Sequence, residues 1–140
     1  MEATAILQPV FVMGLLTVAM TIWMYATRIP AMSRAGIDPK AVARDASLMQ
    51  RLPPEVTRVA DNYNHLFEQP TLFYAVALAI AVLGHVDSLH VVCAWVFTVL
   101  RIAHSLVQAT VNIILIRFSI FALCWVALAI MIFREALAIF

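Results

Sequence analysis

The chain has 140 residues, of which 64% are hydrophobic and 12% charged, with a mean hydropathy of +0.96. Soluble domains run nearer roughly 45–50% apolar and about a quarter charged, so a water-soluble globular enzyme is excluded and the composition is that of an integral membrane protein. A formal net charge of +1 does not identify a partner by itself, and no nucleic-acid partner is expected.

The first apolar segment, about residues 6–27, reads as a transmembrane helix. The only charge before it is Glu2, which does not suit the basic start of a cleavable signal peptide. Pro9 fits a first helical turn, and Trp23 and Tyr25 fit the interfacial belt at the far end. Residues 28–54 are different in kind. Arg28, Arg34, Lys40, Arg44 and Arg51 fall here among the breakers Pro30, Gly36, Pro39, Pro53 and Pro54, which makes an exposed basic connection. Asp38-Pro39 is a candidate cap for a short helix within it.

A second helix is expected over about 55–84. Its purely apolar part, Thr71 to Leu83, covers only about 20 Å at the helical rise, short of the roughly 30 Å hydrocarbon core. Spanning the membrane therefore draws Glu68, and His65 with it, toward membrane depth, with a kink expected at Pro70. Gly84 to Ser88 make a short turn. The third helix, about 88–110, carries Arg101, His104 and Gln108 inside the span. A fourth helix follows over about 113–137, with Arg117 near its start. Cys93 and Cys124 lie inside apolar runs and are expected to be small hydrophobes rather than a disulfide. The whole is one domain: an all-α, four-helix integral membrane bundle. The lysine and arginine count by connection places the first connection in the cytoplasm, with both termini on the other side.

Depth counted from each turn puts Glu68, His104 and Arg117 in one layer, with Arg101 about one turn deeper. On the third helix Arg101, His104 and Gln108 stand at i, i+3 and i+7, on one face. On the second, Arg58, Asp61, His65 and Glu68 form another stripe. Such groups at membrane depth face the bundle interior or a subunit seam rather than lipid. Structural explanations remain open for each: a buried Glu68–Arg101 pair, a His104 bond to a carbonyl, His65, Asp61 and Arg58 as a solvated helix end nearer the headgroups, and Arg117 reaching lipid headgroups. A metal site is disfavoured, because Arg101 and Arg117 would repel a cation. Two arginines and a histidine suit an anionic ligand carrying carboxylates, phosphates or a thiolate.

The pattern Arg101-x-x-His104, with Arg117 thirteen residues after the histidine and a Glu–Pro element on the preceding helix, resembles the MAPEG family. Its members include microsomal glutathione transferases, leukotriene C and prostaglandin E synthases, and bacterial proteins. The resemblance covers essentially the whole chain. It implies a homotrimer with glutathione at each subunit seam, and small lipophilic substrates arriving from the bilayer. Arg117 is then the candidate catalytic residue, stabilising the thiolate. Glu68, Arg101, His104, His65, Asn64, Gln108 and Arg28 are the candidate glutathione-binding residues, with Glu68 orienting Arg101. Likeness to the bacterial members implies a bacterial cytoplasmic membrane.

The chain also departs from the glutathione-using pattern. Gln108 stands where a tyrosine is usual, Phe118 where a serine is, and Phe121 replaces an aromatic hydroxyl. Two functions follow from this mixture. One is a glutathione-dependent transferase or peroxidase of the microsomal type. The other is a non-catalytic member that binds lipid or serves as an accessory subunit of a larger membrane complex.

Overall fold

The computed structural model describes residues 1–140. It is all-helical: α1 (Ala3–Arg34), α2 (Pro39–Val42), a 3-10 turn (Ala46–Arg51), α3 (Pro54–His65), α4 (Gln69–Leu83), α5 (Ser88–Ala109) and α6 (Ile114–Ile139). Four stretches are long and apolar enough to cross a membrane: Ala3–Arg34, Pro54–Leu83, Ser88–Ala109 and Ile114–Ile139. At the helical rise the shortest of them, 22 residues long, covers about 33 Å, enough for the hydrocarbon core.

α5 is the centre of the bundle. It pairs most extensively with α6, and also packs on α1 and α3, while α1 packs in turn on α3 and α4. One apolar cluster fills the space between them. Ile6, Met13, Met20 and Met24 line the inner face of α1 against Phe73, Ala77 and Ile80 of α4, Ala94 and Phe97 of α5, and Cys124, Leu128 and Met131 of α6. Phe73 and Phe97 stack at 4.4 Å between ring centroids, which fixes α4 against α5. Cys93 and Cys124 are both free and buried. Only 33 of the 140 residues are buried, and large apolar side chains such as Phe11, Val82, Leu115 and Leu137 point outward. In water such a surface would aggregate; in a bilayer it is the ordinary lipid-facing wall.

Two helix ends fall elsewhere than the breakers suggest. α1 runs through Pro30 and stops only at Gly36, where φ is +66° and the Ile37 N–H donates to the Met32 carbonyl at 3.0 Å. Pro30 removes one donor without ending the helix. The extension is held by a small cluster of Ala31, Ile37 and Leu52, which folds the basic connection back against it. Within that connection Asp38 caps α2 through the Lys40 N–H, and Asp45 caps the 3-10 turn through the Ser47 N–H.

The second span, by contrast, breaks. Leu66, Phe67 and Glu68 interrupt it, with Glu68 at φ −95°, ψ −100°. Pro70 has no N–H for the Leu66 carbonyl and its ring crowds that carbonyl, which favours ending the helix there. What the sequence presents as a kink is a gap between two helices, α3 and α4.

The α4–α5 turn is closed by Gly84 at φ +72°, with the His85 N–H donating to the Ile80 carbonyl at 3.1 Å. α5 begins at Asp87, whose carboxylate accepts from the His90 N–H at 2.9 Å. Asn112 takes φ +53° in the α5–α6 turn, and its N–H returns to the Val107 carbonyl.

Candidate functional site

The break in the second span creates the polar layer. His65 ends α3, and its carbonyl is one of those a continuous helix would have bonded internally. Arg101 of α5 reaches it: Nη2 donates to the His65 carbonyl across a long 3.5 Å. The Arg101 side chain is fully buried, and its Nε and Nη1 find no partner. A guanidinium at the C-terminal end of a helix also suits the helix dipole. Glu68 does not meet Arg101 directly. It is 62% exposed and accepts from or pairs with His65, Nδ1 to Oε2 at 3.1 Å. The reason is its place one residue before Gln69 on the outward stripe, opposite the buried positions Val59, Asn62, Leu66 and Gln69.

His104 lies one turn from Arg101. Its ring sits 6.2 Å from the His65 ring and 6.3 Å from that of Phe121, within electrostatic reach of Arg101, Arg117 and His65. His104 Nδ1, Ser105 Oγ and Gln108 Oε1 are all buried without a hydrogen-bond partner. Arg117 is anchored to the turn, its Nη1 donating to Asn112 Oδ1 at 2.7 Å, while its Nε stays unpartnered. The structure thus brings His65, Glu68, Arg101 and His104 together, with Arg117 at the edge of the group. Arg28 and Asn64 stand apart from it. They line a separate cavity of about 170 Å³ with Gln50, Thr57 and Asp61, between α1, the basic connection and α3.

The charged stripe on the second span faces outward. Asp61 and Glu68 are exposed, and Arg58 and His65 half-buried. The inward stripe is displaced by one residue: Val59, Asn62, Leu66, Gln69 and Phe73 are all buried, at i, i+3, i+7, i+10 and i+14. Both side-chain polar atoms of Asn62, and both of Gln69, lack partners. Nothing in the charge pattern points to these two amides. Their spacing does, because it is the spacing of the apolar core residues around them.

The opposite end of the bundle is arranged differently. His85 Nδ1 lies 2.9 Å from Glu135 Oε2, His90 Nδ1 3.3 Å from Asp87 Oδ1, and Arg134 grips Asp87 with both terminal nitrogens at 2.9 and 2.6 Å. The Arg134 guanidinium, helped by the His90 N–H, holds the Asp87 carboxyl well below the usual carboxylate range. That end is an internally paired clasp. The break layer is not.

Residues 6–137 match the sequence profile of the MAPEG family. The chain belongs to the MAPEG family. The match spans all four membrane-crossing stretches, and the all-helical bundle agrees with the family's four-helix architecture. No curated protein and no solved structure matches the chain. The family includes glutathione-dependent enzymes as well as non-catalytic members, so family membership fixes the scaffold and leaves the activity to the residues of the break layer. As an integral, multi-pass membrane protein, this MAPEG member must solvate those residues through one another, backbone carbonyls, a water-filled cavity, a ligand or another subunit.

Proposed function

We propose that this MAPEG protein is a glutathione-dependent transferase or peroxidase acting on lipophilic electrophiles, with its site at the seam between copies of a homotrimer. The observation that carries the reading is the outward face of the broken span. It presents Arg58, Asp61, His65 and Glu68 along one stripe, with Glu68 at the end drawn toward membrane depth, where a single charge facing lipid is costly. Beside it lie donors that find nothing to donate to within the chain: Arg58 Nε, Arg101 Nε and Nη1, and Arg117 Nε. A tripeptide with two carboxylates and a thiolate supplies the acceptors, and a neighbouring subunit supplies the cover.

Each residue then has a task. Arg117 stands near the thiolate, where its charge raises the nucleophilic fraction of the thiol at neutral pH. Arg101 holds the break open and offers its free nitrogens to the ligand, with His104 and Gln108 beside it. His65 and Glu68 meet the ligand from the outer face. Arg28 and Asn64, in their own cavity, hold the part of the ligand that extends toward the basic connection. The electrophile arrives through the bilayer, and attack by the thiolate sulfur forms the new thioether as the leaving group departs.

A second reading has its own support. Phe121 lays a ring against His104 where a hydroxyl would serve a thiol, and Phe118 is exposed beside Arg117. These favour a non-catalytic member that binds lipid or joins a larger membrane complex. Conjugation of a generic aromatic halide by purified protein in millimolar glutathione decides between them. The first reading expects turnover that falls by at least about a hundredfold in Arg117→Ala, the scale of losing a transition-state charge partner, and cross-linking that stops at a trimer. Failure to bind or consume glutathione, with Arg117→Ala unchanged, leaves the second. The termini are placed on the non-cytoplasmic side of a bacterial cytoplasmic membrane in this account. Accessibility of a cysteine introduced at Lys40 to a membrane-impermeant thiol reagent, in intact cells against lysed ones, tests the orientation.

A further inference from the structure

Where the basic connection meets the end of α1, a groove of about 510 Å³ opens between Arg34 on the α1 extension and Arg51 on the 3-10 turn. We propose that this groove binds the phosphodiester headgroup of an anionic phospholipid. Six lysine and arginine residues lie between Arg28 and Arg58, and none of them forms an ion pair within the chain. The nearby carboxylates of Asp38 and Asp45 are engaged by backbone N–H groups of their own turns. Arg34 and Arg51 therefore face the groove with their charge uncompensated, and both are exposed to it.

The walls match the rest of a lipid. Ala26, Pro30, Ala31 and Val56 supply the apolar part of the lining. Pro30 has no N–H to give the Ala26 carbonyl, which leaves an acceptor in the wall for a headgroup hydroxyl. Ile29 is exposed beside Pro30, and Ile22, one turn before Ala26, is exposed on α1 and continues the apolar surface toward the membrane interior, where the acyl chains lie. Two planar guanidinium forks match the non-bridging oxygens of a phosphodiester, and their combined charge disfavours a headgroup carrying an ammonium. This occupant is independent of the thiol site, because neither arginine belongs to the break layer.

The test uses the intact protein in nanodiscs and native mass spectrometry. The unaltered protein should retain phosphatidylglycerol in preference to phosphatidylcholine, and inorganic phosphate at millimolar concentration should not displace it. Arg34→Ala with Arg51→Ala should weaken retention about 30-fold, the effect of two basic groups near an anionic surface. Lys40→Ala with Arg44→Ala, which removes the same charge outside the groove, should weaken it no more than about threefold. Equal retention of the two lipids, displacement by free phosphate, or equal losses in the two double variants would each overturn the site. The lipid preference of the unaltered protein is read without any variant, so a folding failure does not leave the proposal untested.

Discussion

The two ends of this bundle treat buried polarity in opposite ways. At the α4–α5 turn, Asp87, His85, Arg134 and Glu135 pair inside a single chain, and only His90 Nε2, 3.4 Å from Glu135 Oε1, lacks a hydrogen bond. At the break between α3 and α4, Arg101, His104, Ser105, Gln108, Asn62 and Gln69 are buried with polar atoms to spare. Native structures pair nearly all their buried polar groups. An end that does so is finished as a fold. An end that does not keeps donors and acceptors open to further partners.

The largest difference between the ends should appear on replacing Arg101 by methionine. If the guanidinium existed for stability, its removal would cost several kcal/mol, as losing a buried charge partner does. Here the His65 carbonyl still accepts from the Glu68 N–H at 3.3 Å, so no acceptor is orphaned. An apolar side chain of similar length then removes a desolvated charge. Arg101→Met is expected to leave the unfolding temperature unchanged or raise it, while glutathione binding drops by at least about a hundredfold, the scale of a buried charge–carboxylate contact. A scanning-fluorescence melt beside a binding titration checks both halves.

The paired end should respond the other way. Asp87→Ala removes the α5 N-cap and the acceptor of Arg134 together, and should cost about 1–2 kcal/mol, most of it the cap, with glutathione binding untouched. Arg134→Ala should cost clearly less than Asp87→Ala, since that ion pair is more than a third exposed. Chemical denaturation in mild detergent ranks the two. A loss from Arg134→Ala as large as that from Asp87→Ala would mean that the ion pair, and not the cap, closes this end.

The acid response sharpens the same contrast. Arg134 depresses the Asp87 carboxyl, so the stability that Asp87 contributes is fully present above its unfolded value of about 3.9. It is lost as pH falls below that value toward the depressed folded one. The gap in unfolding temperature between the parent and Asp87→Asn should be constant from neutral pH down to about 5 and narrow only below about 4. A gap that closes near neutral pH would show that the carboxylate is not held by Arg134.

The smallest effect is expected at Asn112, the residue that joins a left-handed turn to the break layer. Glycine accepts φ +53° without strain, so Asn112→Gly should change stability by less than about 1 kcal/mol. It also releases Arg117 from its 2.7 Å bond. Thiolate formation should then weaken modestly, by a few-fold, and an unchanged thiolate would place Arg117 outside the site.

Much of this architecture is legible in the sequence because a bilayer leaves few choices. Apolar lengths give the four-helix all-α fold, and the shortage of apolar residues around Thr71 and Leu89 forces the polar layer to membrane depth. Helix lengths alone put Glu68, His104 and Arg117 in one layer with Arg101 about one turn deeper. The structure instead sets His65 beside Glu68 and His104 and leaves Arg117 held at the α5–α6 turn. The finer geometry is not legible from lengths. Pro30 and Pro70 look alike as breakers, yet the first sits in an extension held by Ala31, Ile37 and Leu52 while the second divides a helix. The difference lies in what packs around each, which a propensity cannot report. Glu68 faces outward because the core stripe runs through Leu66 and Gln69, one residue off the charged one. Asn62 and Gln69 hide because a neutral amide at core spacing carries no charge to betray it.

The central claim is that the unsatisfied donors at the break form a thiol-ligand site. It is tested most directly by the ultraviolet thiolate band of glutathione added to the purified protein at neutral pH. A saturable band that disappears in Arg117→Ala and in Arg101→Met, while the melting temperature of Arg101→Met holds or rises, is the predicted result. No band and no binding at millimolar glutathione, in a protein shown to be folded, would contradict it.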